Sequence, residues 1–312
     1  MATNELHVVF GATGGAGSAI VRELAAQGKR VRAVSRSGGR AFPASVETVR
    51  GDAANAESAH TAAASATVVY HAVNVPYPQW STALVPLAHT LIYASAAAGA
   101  KLVVVDNLYM YDSTKGPMSD DTSVAPISRK GQLRAQVADL FMQAHRDGKL
   151  PVTIGRASDF YGPNIRNALV NDAFFRSALA GKTVRWAGNL DVPHASMFID
   201  DFARGIVAMG ARDDAFGDAW ILPHAPAITG REFIKLTFEQ TGKPMKQGTL
   251  SRGMVRLGGL FSPLIREFGE MVYQFEQPFV VDSSRFERTF SLSATPHRDG
   301  IAETLDWVRR GT

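Results

Sequence analysis

The chain has 312 residues, of which 46% are hydrophobic and 20% charged, with 28 glycines and 15 prolines. This composition excludes a mainly disordered or fibrous protein. The absence of cysteine excludes disulfides, thiolate metal sites and a cysteine nucleophile. It is compatible with a reducing compartment, so we expect a cytoplasmic protein. The net charge of +4 comes from scattered basic residues rather than a basic stripe, so we expect no nucleic-acid partner.

Residues 58–100 contain no Asp, Glu, Lys or Arg and are the one candidate for a membrane segment. A spanning helix needs about 20 mainly apolar residues, whereas Pro76, Pro78 and Pro86 interrupt this stretch. We interpret it as a buried strand, a loop and a buried helix, and expect no membrane partner. We also expect no secretory signal, because the apolar run His7–Phe10 is too short for one.

Apolar runs rich in β-branched residues alternate with helical segments in the first half of the chain. Strands are predicted at His7–Phe10, Arg30–Ser35, Val46–Arg50, Thr67–His71, Lys101–Val105 and Pro151–Arg156. Amphipathic helices are predicted over Ser18–Gln27, Leu84–Ala98 and Gln132–His145. The alternation predicts an α/β fold with a Rossmann-type, doubly wound parallel sheet. It ends after Gly162-Pro163, which predicts a smaller mixed α+β domain that forms a ligand cleft with the first.

A glycine-rich loop joins the first predicted strand to the first helix. Gly11, Gly14 and Gly17 follow the spacing G-x-x-G-x-x-G, with Thr13 and Gly15 between them. Glycines at such a junction permit a tight turn, a close approach of backbone to a pyrophosphate and close packing of helix on strand. The helix N-terminus adds free N–H groups and a positive dipole. The loop therefore predicts a dinucleotide site rather than a plain turn.

The ends of the second and third strands indicate which dinucleotide is bound. Sites for NAD usually place Asp or Glu after the second strand, whereas this one ends in Ser35 and Arg36. A guanidinium there suits a 2′-phosphate, so we expect NADP(H) to be preferred over NAD(H); the alternative is a solvated arginine. Asp52, followed by Ala53, is placed to accept from the adenine amino group, or else to cap the next helix.

Six segments, in order along nearly the whole chain, resemble motifs of the extended short-chain dehydrogenase/reductases, the NAD-dependent epimerase/dehydratase family. They are residues 11–17, Gly51-Asp52, residues 69–72, residues 156–163, residues 198–201 and residues 300–307. The resemblance implies a Rossmann domain of residues 1–165 with a return segment near 195–225. It implies a smaller substrate domain of residues 166–194 and 226–312, and a nicotinamide cofactor that also contacts Ala72, Asn74, Asn107 and Ser158. Pairing in the family implies a homodimer through helices 84–98 and 132–145.

The chain departs from the family at its proton-transfer pair, Tyr-x-x-x-Lys, which opens the helix after the fifth strand. Our alignment puts Ser128 and Gln132 at those two positions, and Asn107 at the position of the usual Ser/Thr partner. Tyr111 and Lys115 do spell Tyr-x-x-x-Lys, but they lie in a predicted loop. We treat that match as coincidence, because the pair must lie one turn apart on a helix.

Three functions therefore stay open. The favoured one is NADPH-dependent reduction of a small, rather apolar carbonyl, enone or imine by non-standard acid/base residues. The second is a redox sensor that binds NADP(H) without turnover. The third, and least favoured, is an epimerase or dehydratase with a permanently bound cofactor, since those reactions need the missing pair. The catalytic candidates are Asn107, Tyr109, Tyr111 and Lys130.

A proline-fixed loop after the fourth strand is the candidate wall of a small-molecule substrate pocket, because ligands bind at the carboxyl ends of such strands. The substrate candidates are Asn74, Pro76, Tyr77, Trp80, Tyr109, Asp159, Phe160, Met197 and Tyr273. An apolar pocket is expected if half of the apolar candidates from both domains face the cleft. These are Met110, Phe160, Trp186, Met197, Phe198, Phe261, Met271, Tyr273 and Phe275.

Two other kinds of active site find no support in the sequence. The eight histidines include no metal-binding spacing, so we expect no metal, although His194 could reach the cleft. No Gly-x-Ser-x-Gly elbow is present, so a serine hydrolase is not supported.

Overall fold

The computed structural model describes residues 5–38 and 42–311. The strands within these ranges are β1 Leu6–Phe10, β2 Arg30–Ser35, β3 Val46–Arg50, β4 Val68–His71, β5 Lys101–Asp106, β6 Val152–Arg156, β7 Asp159–Tyr161, β8 Val184–Ala187, β9 Pro193–His194, β10 Ser196–Phe198, β11 Ala219–Ile221, β12 Ile228–Thr229 and β13 Gln247–Leu250. Seven of them form one parallel sheet in the order β11-β6-β5-β4-β1-β2-β3. The predicted doubly wound α/β fold is confirmed.

The helices of the same ranges either cover the two faces of this sheet or pack in the second half of the chain. They are α1 Gly15–Ala26, α2 Ala56–Ala63, α3 Trp80–Ala97, α4 Arg129–Arg146, α5 Asp172–Leu179, α6 Ile199–Gly210, α7 Gly230–Thr241, α8 Arg252–Gly259, α9 Pro263–Gly269, α10 Ser284–Phe290 and α11 His297–Arg309. Helices α1 and α6 pack together on one face, and α2, α3 and α4 on the other. Because both faces are covered, β1, β4 and β6 are buried along their whole length.

The strand order reverses between β1 and β4, and this reversal locates the ligand cleft. From β1 the chain proceeds outward to β2 and β3, and then returns to add β4, β5 and β6 on the other side. The loops that leave β1 and β4 therefore diverge to opposite faces of the sheet. In doubly wound sheets, ligands bind in the crevice that this divergence opens at the carboxyl ends of the strands.

Helix boundaries differ from the predicted ones mainly at the N-termini. Helix α1 begins at Gly15 rather than Ser18, because glycines of the loop form its first turn. Helix α3 begins at Trp80 rather than Leu84, after a 3-10 turn over Tyr77–Gln79. Helix α2 was not predicted, since its alanine-rich sequence has little apolar periodicity. Its N-cap is Asn55, so the alternative role of Asp52 as a helix cap is wrong.

The second half of the chain contributes both to the main sheet and to a separate aromatic core. Strand β11 joins the main sheet beside β6, and β10 pairs with β7. Helices α5, α7 and α11 pack around a core that includes Trp186 and Phe233. None of the helices in the described residues is long and apolar enough to cross a membrane.

Candidate functional site

A cleft of about 520 Å³ lies at the carboxyl ends of the parallel strands. The predicted cofactor residues that line it are Gly11, Thr13, Gly14, Gly15, Ser35, Arg36, Asp52, Ala53, Ala72, Asn74, Asn107 and Ser158. The predicted substrate residues that line it are Asn74, Tyr77, Trp80, Tyr109, Asp159 and Phe160. Residues predicted to hold the two ends of the cofactor and residues predicted to contact the substrate thus line one cavity.

Six predicted site residues lie outside the lining of this cleft: Gly17, Pro76, Tyr111, Lys130, Met197 and Tyr273. Gly17 is buried beneath the glycine loop, and Pro76 is exposed where it precedes the 3-10 turn. Met197 is fully buried in β10, because its side chain packs in the core on the α1 and α6 face. Tyr273 is half-buried, and its hydroxyl has no hydrogen-bond partner among the described residues.

The glycine loop follows a path that side chains would block. Gly11 has φ +82°, and a Cβ on it would lie 2.6 Å from the carbonyl oxygen of Ala72. A Cβ on Gly17 would lie 2.2 Å from the carbonyl oxygen of Gly11. Gly14 is the extended N-cap of α1, whose first turn carries no acidic side chain. The first amides of this helix lack intrahelical acceptors and are free to bind phosphate oxygens at the cleft.

The end of β2 presents a basic side chain and no carboxylate to the same cleft. Ser35 is buried, and its Oγ accepts a hydrogen bond from the Gly38 N–H at 3.2 Å. Arg36 is exposed and forms no ion pair with the residues that the structure describes. Asp52 follows β3 at the cleft, where its Oδ1 accepts from the Ala54 N–H at 3.0 Å. The Arg36 guanidinium and the Asp52 carboxylate therefore line the same cleft, after β2 and β3 respectively.

A buried charge network lies beneath the cleft at the end of β5. The Asp106 carboxylate accepts hydrogen bonds from the Nε and Nη2 of Arg134, and its Oδ2 lies 3.6 Å from Arg156 Nε. Arg134 also lines the cleft, with its guanidinium 5.4 Å from the Trp80 ring centroid. Asn107 follows directly, and its Oδ1 accepts from the Tyr109 N–H at 3.0 Å. The network fixes the turn that carries two of the catalytic candidates.

The first turns of α4 correct the alignment of the proton-transfer pair. Ser128 is the N-cap of the helix and Gln132 is exposed, so neither presents its side chain to the cleft. The buried residues one turn apart are instead Lys130 and Arg134. Lys130 and Arg134 lie on the same face of the helix as its apolar stripe, which includes Val137. This continuity was the sequence signal that would have identified Arg134.

Lys130 is held away from the cleft by two carboxylates. Its Nζ donates to Glu267 at 2.5 Å and to Glu270 at 2.7 Å, and its backbone N–H donates to Glu270 at 3.0 Å. The ammonium lies 5.3 Å from the ring centroid of Tyr77. The hydrogen bonds to Lys130 hold the pKa of Glu270 below its usual value, although burial opposes them. Lys130 thus joins α9 to α4 and contacts the outside of the cleft wall.

Two tyrosines form a hydroxyl pair in the substrate part of the cleft. The Tyr77 and Tyr109 hydroxyl oxygens are 2.7 Å apart. Burial raises the pKa of Tyr77 to about 12 and raises the pKa of Tyr109 well above its usual value. Both side chains are therefore neutral hydrogen-bond donors near pH 7. Tyr111 is also protonated, since burial raises its pKa, but it is bonded to Arg156 beneath the cleft.

A carboxylate–imidazole pair adjoins the tyrosines. His194 Nε2 lies 3.0 Å from Asp159 Oδ2, and His194 Nδ1 lies 3.2 Å from the carbonyl oxygen of Gln274. The imidazole is buried and stacks on the rings of Phe275 and Phe279. A carbonyl only accepts, so the contact with Gln274 is a hydrogen bond when Nδ1 carries the proton. The contact with Asp159 joins the buried imidazole to a carboxyl group that lines the cleft.

A second buried histidine fixes the segment next to this pair. His224 Nδ1 donates to the Leu222 carbonyl oxygen at 2.6 Å, while Nε2 accepts from the N–H and the hydroxyl of Ser158. Burial lowers the pKa of His224 to about 4, so the ring is neutral near pH 7. Sequence reasoning gave His224 no role, because nothing near it in the chain indicates its bond to Ser158.

The prediction of an apolar substrate pocket is wrong, because most of the residues that suggested it do not line the cleft. Phe160 lines the cleft, but Met110, Trp186, Phe198, Met271 and Phe275 are buried in cores, and Phe261 is exposed elsewhere. Asp106, Asn107, Arg134, Asp159, Asn164 and Arg166 add polar groups to the lining. The cleft is therefore mixed in character, with aromatic walls and several charged side chains.

The family of the chain is decided by a sequence comparison. The model of the NAD dependent epimerase/dehydratase family matches residues 7–220. The chain belongs to this family. The predicted relationship is confirmed, and with it the prediction of an enzyme of the short-chain dehydrogenase type. No curated protein matches the sequence.

Solved structures of this type share the whole fold. The UDP-glucuronic acid 4-epimerase from Bacillus cereus, in complex with NAD, has a TM-score of 0.79 and 18% identity, over 98% of this chain and 99% of that one. The dTDP-glucose 4,6-dehydratase DesIV from Streptomyces venezuelae, a double mutant with NAD and DAU bound, has a TM-score of 0.80 and 20% identity, over 98% of each chain. MoeE5, in complex with UDP-glucose and NAD, has a TM-score of 0.77 and 22% identity, over 99% of each chain.

Proposed function

We propose that the protein is an NADPH-dependent oxidoreductase that reduces a carbonyl, enone or imine. The observation that carries this proposal is Arg36, an exposed guanidinium without an ion pair in the described residues, at a cleft where β2 ends without a carboxylate. A guanidinium matches a 2′-phosphate, whereas a ribose 2′-OH is usually held by Asp or Glu. The three solved structures contain NAD, so a preference for NADP(H) would set this chain apart from them.

The residues of the cleft fit a dinucleotide. The amides of the first turn of α1 would hold the pyrophosphate, and Gly14 and Gly15 leave that approach free of side chains. Ser35 and Arg36 would hold the 2′-phosphate, and Asp52 the adenine amino group. When bound, the nicotinamide supplies the hydride that reduces the substrate carbon.

Asp159 is our candidate for the proton donor that the Tyr-x-x-x-Lys pair supplies elsewhere in the family. We propose that its contact with His194 holds one proton beyond that of a neutral imidazole, and Asp159 itself faces the cleft. As a hydride reaches the substrate carbon, that proton would pass through Asp159 to the substrate oxygen or nitrogen, and water would restore it. The hydroxyls of Tyr77 and Tyr109 and the amide of Asn107 would orient the reacting group. Tyr111 and Lys130, which contact other groups, would act only as supports.

A second candidate is an NAD-dependent epimerase or dehydratase, in keeping with the family and with the polar lining of the cleft. It requires a group that removes a proton from a sugar hydroxyl, and both tyrosines of the cleft are held in the protonated form. The redox-sensor function requires no such group. Turnover distinguishes it from the reductase.

Calorimetric titration with NADPH and NADH tests the cofactor proposal. Arg36→Ala should weaken NADPH binding about 10- to 100-fold by removing charge-assisted hydrogen bonds, and should leave NADH binding unchanged. Arg30→Ala, which removes an exposed arginine at the opposite end of β2, is the matched control. Equal affinity for both cofactors, or an equal effect of the two substitutions, would contradict the NADPH preference. NADPH oxidation with aldehydes, ketones, enones and imines then separates a reductase from a sensor.

The shared proton is tested by NMR of protein labelled with ¹⁵N-histidine. His194 should have a protonated Nδ1 near pH 7, and Asp159→Asn should lock the ring neutral, because an asparagine amide can donate to Nε2. His89→Asn, which changes an exposed histidine, should leave the signal unchanged. A wild-type ring protonated on Nε2 alone would mean that Nδ1 does not donate to Gln274 and that the pair holds no proton beyond that of a neutral imidazole, whatever the cofactor affinity.

We also propose a homodimer through α3 and α4, which pack side by side on one face of the sheet. Tyr93 is 59% exposed on the outer face of α3. Light scattering measures the mass in solution, and Tyr93→Glu should convert a dimer to a monomer.

A further inference from the structure

Six of the ten large hydrophobic side chains that are exposed in the described residues lie together on the hairpin of α8 and α9. They are Met254, Leu257, Leu260, Phe261, Leu264 and Ile265, and we call this set the hairpin face. Phe261 is 85% exposed and Leu260 77% exposed, at the turn between the two helices. Contiguous apolar patches of this kind mark protein or membrane interaction sites.

The face is built into the hairpin rather than left by loose packing. A Cβ on Gly259 would lie 3.0 Å from Arg266 Cα, and one on Gly258 would lie 3.2 Å from Ile265 Cγ2, so the two glycines let the helices approach closely. Val255 turns inward and is buried. The apolar residues that face outward are therefore held there by a defined hairpin.

The charge around the face is positive. Arg256 and Arg266 are exposed on the hairpin and form no ion pair within residues 5–38 and 42–311. Glu267 and Glu270 at the base of the hairpin share the single ammonium of Lys130, and neither forms an ion pair with Arg256 or Arg266 in the described residues. An apolar tip with unpaired arginines beside it is complementary to the interface of an anionic lipid bilayer.

We infer that the hairpin face docks the protein on anionic membranes, with the Leu260–Phe261 tip in the interface and Arg256 and Arg266 on the lipid phosphates. This is peripheral attachment and needs no spanning helix. The base of the hairpin holds Lys130, whose ammonium contacts Tyr77 in the cleft wall. Docking would therefore bring the substrate side of the cleft close to the lipid surface.

Sedimentation with lipid vesicles tests this inference on the full chain. Vesicles of phosphatidylcholine with phosphatidylglycerol should bind the protein, and vesicles of phosphatidylcholine alone should bind it about tenfold more weakly. Leu260→Ser with Phe261→Ser, and separately Arg256→Gln with Arg266→Gln, should each reduce binding to the anionic vesicles about tenfold or more. Both pairs are exposed, so circular dichroism should show an unchanged fold. Val124→Ser, which changes an apolar residue exposed on another surface, is the matched control.

Three results would overturn the inference. The wild type could fail to sediment with anionic vesicles. The tip variant could bind them as well as the wild type does. The tip variant could instead convert a dimer to a monomer in light scattering while the wild type ignores vesicles, which would identify a second copy as the occupant. None of these readouts depends on cofactor binding or turnover.

Discussion

The two edges of the cleft are built on different principles. At the phosphate edge, Gly11, Gly14 and Gly17 shape the backbone by the absence of side chains. At the substrate edge, Asp106 and Arg134 shape it by a buried ion pair between β5 and α4. The first edge depends on space and is encoded within a few consecutive residues. The second depends on charge and is encoded by residues far apart in the chain.

The largest effect should come from breaking the charged edge. Arg134→Met leaves the Asp106 carboxylate buried without its main partner, which should lower the free energy of unfolding by about 3–5 kcal/mol. Urea denaturation measures the loss. Arg146→Met, at the exposed end of the same helix, should change the stability by less than about 0.5 kcal/mol.

A double variant shows whether charge is the cause. Asp106→Asn combined with Arg134→Met removes both members of the pair, and should recover part of the stability lost by Arg134→Met alone. Additive losses would mean that Arg134 contributes by packing on Trp80 rather than by pairing.

A smaller effect is expected at the glycine edge. Gly17→Ala places a methyl group 2.2 Å from a backbone oxygen, so the loop must shift at a cost of about 1–3 kcal/mol. Gly14→Ala meets the same oxygen at 3.3 Å and should cost less. Thermal denaturation of the two variants ranks them. An equal loss from both would mean that space at Gly17 does not define this edge.

The first edge was predicted from the sequence, and the second was misread. A glycine motif requires only local geometry, so residues 11–17 indicated the loop at the start of α1, and the pyrophosphate site stays a prediction. Six of the seven strands of the main sheet were predictable, most of them because buried parallel strands are continuous β-branched runs, whereas β3 is an exposed edge strand. The register of α4 was misassigned because charged residues were expected to face water, although Lys130 and Arg134 continue the apolar stripe of the helix and Gln132 does not.

The pair of Asp159 and His194 was also difficult to predict from the sequence. Asp159 and His194 belong to different short strands, and the imidazole is positioned by a carbonyl of Gln274 and two phenyl rings. Each of these contacts is distant in sequence and none has a characteristic spacing. The sequence indicated that His194 could reach the cleft, whereas the structure buries the imidazole outside the lining and joins it to the cleft through Asp159.

The position of Lys130 between the hairpin and Tyr77 has a thermodynamic consequence. One ammonium group touches both the carboxylates at the base of α9 and a ring in the cleft wall. When two ligands contact the same group, the change in affinity that each one causes for the other is equal. If a ligand in the cleft moves Lys130 and thereby changes the affinity of the hairpin for its occupant, then that occupant changes the affinity of the cleft for the ligand by the same factor.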